Sequence, residues 1–307
     1  YDRNTNMRIG LQYNLTDTLG AETQLQTDGS NGGNARLYQS LDGNYHFSEN
    51  LTLNYGVEVS GNLDGETNAL TSVSLGAKWQ SEDDHWVANS DIDMTFEDEG
   101  ETYFADFGVA GEINPALTML GRARIAVDTR GDAGRDTRAR ARLGLAYRPI
   151  EDSRLNALAW YEYRHGYDGK NAVEHLWSLD ASYEASETMT LRGKYAGHKI
   201  SQDLEFTSDS SLTQLLQAGL NIDLFDDRAQ FGLNLMHFWD DLGNQTNAAG
   251  IEFGVTPAKG TLLSIGYNAS QGSMNHRNEV YQDGIYFRLR IALDNTLLDR
   301  LSRFGAE

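Results

Sequence analysis

The chain has 307 residues, with 25 Lys and Arg against 45 Asp and Glu, a net charge of -20 and no cysteine. This excludes a disulfide framework and a thiolate metal centre, and it argues against nucleic acid, whose phosphates most of such a surface would repel. No run approaches the roughly 20 apolar residues of a spanning helix, and 31 Gly, 15 Tyr and 11 Phe against 3 Pro, with a mean hydropathy of -0.53, fit neither a disordered chain nor a helical bundle.

Tyr1 lies in a polar stretch with no basic or apolar leader region, so a removed targeting segment or a fragment is expected. From residue 7 the chain alternates apolar and polar residues with the period of an extended strand. MRIGLQYNL (7–15) sets Ile9, Leu11, Tyr13 and Leu15 against Arg8, Gly10, Gln12 and Asn14. Weaker runs follow at 19–25 and 35–47, and then LTLNYGVEV (51–59) repeats the pattern clearly. It returns at 69–79, 86–96, 103–113 and 117–127. TRARARLGLAY (137–147) then places Arg138, Arg140 and Arg142 opposite Ala139, Ala141, Leu143, Leu145 and Tyr147. Further runs occupy 155–163, 177–183, 189–197, 215–224, 229–239, 250–255, 262–269 and 284–293. These predict about seventeen strands, each near the length that crosses a bilayer when tilted.

Short connectors at 16–18, 48–50, 114–116, 151–153 and 258–260 alternate with longer Gly/Asp/Asn-rich loops. The longer ones fall at 27–34, 61–68, 128–136, 165–171, 201–210, 240–247 and 271–280. Short turns on one side and long loops on the other predict an all-β, antiparallel up-and-down transmembrane β-barrel of 16–18 strands over residues 1–294, with a short periplasmic tail at 295–307. Aromatics gather near strand ends, as interfacial girdles do, at Tyr45, Phe47, Trp79, Trp86, Phe96, Tyr103, Tyr147, Tyr163, Trp177, Tyr183, Trp239 and Tyr267. So many strands enclose too wide a space for side chains to fill, so the apolar face is assigned to lipid and the polar face to a wet lumen.

The polar phase then assigns basic pore-lining residues Arg122, Arg124, Arg138, Arg140, Arg142, Arg154, Arg164, Arg192 and Lys194. Acidic ones come mainly from earlier strands: Glu22, Asp42, Glu58, Asp91, Asp93, Asp106 and Glu112. An acidic sector followed by a basic one would set a transverse field across a pore. The competing reading is cross-strand ion pairing that stiffens the wall. Arg138, Arg140 and Arg142 repeat one charge on one face, so they require carboxylates across a ladder, a plug or an anionic passenger.

Clusters SEDDH (81–85), in an expected periplasmic turn, and EDEGE (97–101), in an expected outer loop, are acidic but lack calcium-loop spacing, and they read as solvated acid. The seven histidines at 46, 85, 165, 175, 198, 237 and 276 show no ligand-like spacing beyond His165 and His175 flanking one loop. G-x-S-x-G is absent, so neither an enzyme nor a cofactor or metal is expected.

The segment GVTPAKGTLLSIGYN (254–268), a loop, and GIYFRLRIALD (284–294) resemble the C-terminal membrane-anchor barrel of very large repeat-containing bacterial surface proteins. In such barrels the last strand reads aromatic, apolar, Arg, apolar, Arg, as Tyr286 to Ile291 do here. The resemblance implies an outer-membrane anchor or translocator for a surface-exposed domain, with lipid, lipopolysaccharide, the barrel-assembly machinery, and a surface repeat region or luminal plug as partners. The tail NTLLDRLSRFGAE (295–307) departs from it by lacking the usual terminal aromatic, a place that Leu293 or Phe304 could take. The second reading is a passive porin or polysaccharide-export channel whose arginine ladder favours anionic solutes.

Overall fold

The structure is a computed structural model that describes residues 7–27, 35–63, 69–130, 134–151, 153–169, 171–204, 207–226, 228–258, 261–272 and 283–291. Among them the chain is all-β, with seventeen antiparallel strands running up and down in sequence order. They are β1 (Met7–Thr16), β2 (Leu19–Thr27), β3 (Ala35–Ser48), β4 (Leu51–Asn62), β5 (Leu70–Gln80), β6 (Trp86–Glu97), β7 (Gly100–Asn114), β8 (Leu117–Asp128) and β9 (Asp136–Tyr147). The series continues with β10 (Leu155–His165), β11 (Ala172–Ser186), β12 (Met189–Leu204), β13 (Thr207–Leu224), β14 (Ala229–Asp240), β15 (Gln245–Ala258), β16 (Thr261–Gly272) and β17 (Gly284–Ile291). The expected tail at 295–307 lies outside the described residues, as do residues 292–293 of the last predicted strand.

Two compact units share these strands: residues 1–145, 160–175 and 201–209 form the first, and the remainder forms the second. In the first, register carries one apolar face from strand to strand, through Ile9↔Leu25, Ala21↔Leu41, Leu41↔Val57, Val57↔Val73, Leu75↔Ile92, Met94↔Tyr103 and Ala105↔Ile125. In the second, Leu233↔Ile251, Ile251↔Tyr267, Phe253↔Ile265 and Ile265↔Phe287 do the same. A slip of one residue would turn every one of these side chains to the opposite face, so the alternation itself specifies the register.

Burial is inverted relative to a water-soluble sheet. Leu11 is 72% exposed and Phe287 77%, and no Leu, Ile, Val or Phe is buried among the described residues. The buried side chains other than a few Ala and Met236 are polar: Ser60, Asp106, Glu162, Glu174, Ser178, Thr246 and Ser264. In water each large side chain left uncovered would forgo about 1.5–3 kcal/mol of burial, and a continuous face of them marks contact with something other than water.

Aromatic side chains close gaps over cross-strand glycines. Trp86 lies over Gly111, its register partner, and a Cβ there would come within 2.1 Å of the indole. Trp177 covers Gly197 in the same way, at 2.2 Å. The Gly111→Val variant is expected to expel the indole and to destabilise the sheet by about 1–3 kcal/mol, the usual range for overpacking. Denaturant unfolding followed by Trp fluorescence measures this, and an unchanged midpoint would show that the ring is not held there.

Three predicted boundaries are corrected. The loop expected at 201–210 is largely strand, since β12 continues to Leu204 and β13 begins at Thr207. The acidic stretch 97–101 is a tight hairpin, with only residues 98–99 between β6 and β7. Arg154, assigned to a strand wall, stands in the connector before β10. In each case polar residues predominate on both parities, with only Leu204 and Phe206 apolar within 201–210, so period-two hydrophobicity carries little signal.

Candidate functional site: the charged polar face

Asp106 of β7 is in register with Arg124 of β8, and Gly108 with Arg122. Arg122 reaches diagonally back along the ladder to Asp106, while the space over Gly108 is taken by Asn89 of β6. Arg122 donates Nε to Oδ1 of Asp106 at 3.0 Å and Nη2 to Oδ2 at 2.6 Å, while Arg124 donates Nε and Nη2 to Oδ2 at 3.0 and 2.6 Å. Two guanidinium forks on one carboxylate form a charge-assisted clamp. Phe104, on the same face, lies 5.2 Å beneath the Arg124 guanidinium.

A second clamp lies on β9 and β10. Glu162, 1% exposed, accepts Arg140 Nη2 at 2.8 Å and Arg164 Nε, and Arg142 Nε stands 3.7 Å away. Arg142 is stacked 4.4 Å over the Trp160 ring, and Arg164 also reaches Glu174 at 3.7 Å. Arg138 pairs with Asp136 at 2.9 Å. The like charges of the TRARAR run are therefore met by carboxylates across and along the ladder. Six guanidiniums (Arg122, Arg124, Arg138, Arg140, Arg142, Arg164) share four carboxylates, leaving the sector cationic.

The acidic candidates divide. Glu22 is in register with Gln12 and Ser40, Asp42 with Gly20 and Gly56, Glu58 with Ser40 and Ser72, Asp91 with Gly76 and Asp106, and Asp93 with Ser74 and Phe104, so no cation stands directly across the ladder from any of the five. None of these five makes an ion pair among the described residues. Asp42, Asp91 and Asp93 line a 400 Å³ polar cavity with Gln12, Asn14 and Asn54. The two others depart from the expected sector. Asp106 belongs to the arginine clamp, and Glu112 stands at the far end of β7, with its Oε2 3.0 Å from His85 Nδ1. Charge segregation is therefore sharper on the acidic side than on the basic side, where Asp106, Glu162 and Glu174 interleave.

In the second unit Lys194 pairs with Asp180 at 3.1 Å. Arg192 makes no ion pair among the described residues. Glu252, absent from the candidates, accepts Ser264 Oγ at 2.5 Å, Tyr286 Oη at 2.7 Å and Arg288 Nη1 at 2.9 Å. Glu162 and Glu252 share the polar phase of their neighbours, so parity alone could have found them. Their partners could not be found that way, because pairing depends on cross-strand register.

The turn before β6 shows why its acids are solvated groups. Ser81 Oγ donates to Asp83 Oδ1 at 2.5 Å and the His85 amide to the same oxygen at 3.2 Å, closing the turn on itself. These bonds, the serine first, hold the Asp83 carboxyl below the ordinary carboxylate range. No group of three or more His, Cys, Asp or Glu able to hold a metal occurs among the described residues.

Fold and site together define an antiparallel up-and-down β protein with an exposed apolar face and a charged polar face. No family model matches the chain, and no curated protein matches its sequence. Solved structures to which it is similar include an anion-selective porin from Comamonas acidovorans, at 12% identity over 93% of this chain and 98% of that one, with a TM-score of 0.42. A bacterial polysaccharide outer membrane secretin matches at 10% identity over 94% and 96%, with a TM-score of 0.36. A loop-deletion mutant of OmpT, an outer membrane protein of Vibrio cholerae, matches at 12% identity over 87% and 97%, with a TM-score of 0.35.

Proposed function

We propose that the chain is a non-enzymatic bacterial outer-membrane β-barrel, with lipid and lipopolysaccharide against its apolar face, that serves as an aqueous channel. The carrying observation is the inverted burial: Leu, Ile, Val and Phe side chains lie outward while Asp106, Glu162 and Glu174 are buried. Hydrocarbon satisfies the first set and a water-filled, ion-paired lumen the second, and strands suit this because each backbone group is satisfied by its neighbour. The anionic wall of β2–β6 and the cationic wall of β8–β11 would line the path of solutes and impose a transverse field.

Purified protein in planar bilayers is expected to give steady single-channel conductance. Replacing Arg138, Arg140 and Arg142 by Gln, which leaves Arg164 on Glu162, should shift the reversal potential in a salt gradient toward cations. An unchanged potential would remove these arginines from the selectivity of the channel. The anchor or translocator reading draws on the sequence of β17, Tyr286 to Ile291, and shares the same barrel. It predicts a blocked, non-conducting barrel assembled by the same machinery, so absence of conductance from correctly folded protein would favour it.

A further inference from the structure

The second unit carries a pocket that neither the clamps nor the acidic wall explains. A 280 Å³ cavity on the polar face of β12–β17 is lined by Arg192, Arg288 and Arg290 together with Asn221, Asn234 and Glu252. Glu252 is held by Ser264, Tyr286 and Arg288, which fixes it as part of the wall. Arg192 and Arg290 make no ion pair among the described residues, and Asn221 and Asn234 make no side-chain hydrogen bond there. Two guanidiniums and two amides thus line one small space in which the carboxylate, Glu252, is already committed to Arg288.

Glycines set the depth of the floor. Gly219 is in register with Asn234 and Gly232 with Asn221, so each amide lies across a residue that lacks a side chain. A Cβ at Gly219 would stand 3.1 Å from Asn234 Oδ1, and one at Gly232 would stand 3.4 Å from Asn221 Oδ1. Arg192 and Asn234 also line an adjoining 890 Å³ cavity, where Lys194, paired with Asp180, and Glu184, Gln217 and Asn156 continue the polar surface. The small cavity is the size of one sugar ring and the larger one holds several.

We propose that this face is a binding subsite for a linear acidic oligosaccharide, with one sugar carboxylate held by Arg192 and Arg290 and the hydroxyls met by Asn221, Asn234 and Gln217. Guanidinium forks match a carboxylate in bidentate geometry, and amides offer both donors and acceptors to hydroxyls. The proposal deepens the channel reading by naming a solute class, and it rests on the polar face being open to solute.

The test is calorimetric titration of the detergent-solubilised full chain with trigalacturonate, maltotriose and inorganic phosphate, with bilayer conductance measured on the same preparation. Trigalacturonate is expected to bind at least tenfold more tightly than either other probe. Arg192→Gln and Arg290→Gln should each weaken it about tenfold while conductance persists, and Asn234→Ala should weaken it less. Equal binding of phosphate and trigalacturonate would reduce the pocket to a simple anion site and overturn the proposal, as would no binding by a conducting preparation. Binding without conductance would keep the subsite and sink the channel reading instead.

Discussion

Glu162→Gln is expected to lower the stability of the folded chain by about 2–4 kcal/mol, the largest effect of any single polar substitution in the first unit. The carboxylate is 1% exposed, and Arg140, Arg142 and Arg164 surround it. Glutamine keeps the shape but removes the charge, leaving three guanidiniums within reach of one another and of a neutral amide. Breaking a buried pair from one side costs about 3–5 kcal/mol in dry interiors. The side chains of these arginines are 31–46% exposed, so water screens part of the repulsion and the lower end of that range applies. Urea unfolding in detergent measures the loss. A further Arg140→Gln change on the variant should restore part of it by removing one of the like charges, and failure to do so would show that Glu162 acts through packing alone.

Val57→Arg is the second large effect. Val57 faces Val73 and Leu41 in the middle of β4, 44% exposed on the apolar face. A cation on the lipid face of a barrel costs about 2–4 kcal/mol at mid-depth. Against water the same change would cost almost nothing. Ser72→Lys on the opposite face serves as the control, because Ser72 is in register with Glu58 and a lysine there meets a carboxylate. Refolding into vesicles should therefore separate the two variants by at least 2 kcal/mol, whereas equal stabilities would mean that the apolar face does not meet hydrocarbon.

The two expectations rest on different kinds of knowledge. Period two in the residues was enough to place strands, since successive side chains in extended backbone must point to opposite faces. Seventeen alternating runs correspond to seventeen strands, and the phase of each run puts Arg140 or Asp91 on the polar face without any structure. The same logic failed at 201–210, where only Leu204 and Phe206 interrupt a run of polar residues, too few to mark a strand.

What sequence alone determined, then, is the strand order, the two-sidedness of each strand and the chemical type of each face. Only the tertiary structure decided which charges meet. Pairing of Arg140 with Glu162, or of both Arg122 and Arg124 with Asp106, depends on the stagger between adjacent strands. Stagger is set by interactions summed along the whole ladder, so no short stretch encodes it. For the same reason the acidic wall stays unpaired while the arginines find partners: its register neighbours are glycine, serine, Gln12, Phe104 and Asp106, with no cation among them, a fact that appears only when two distant segments lie side by side.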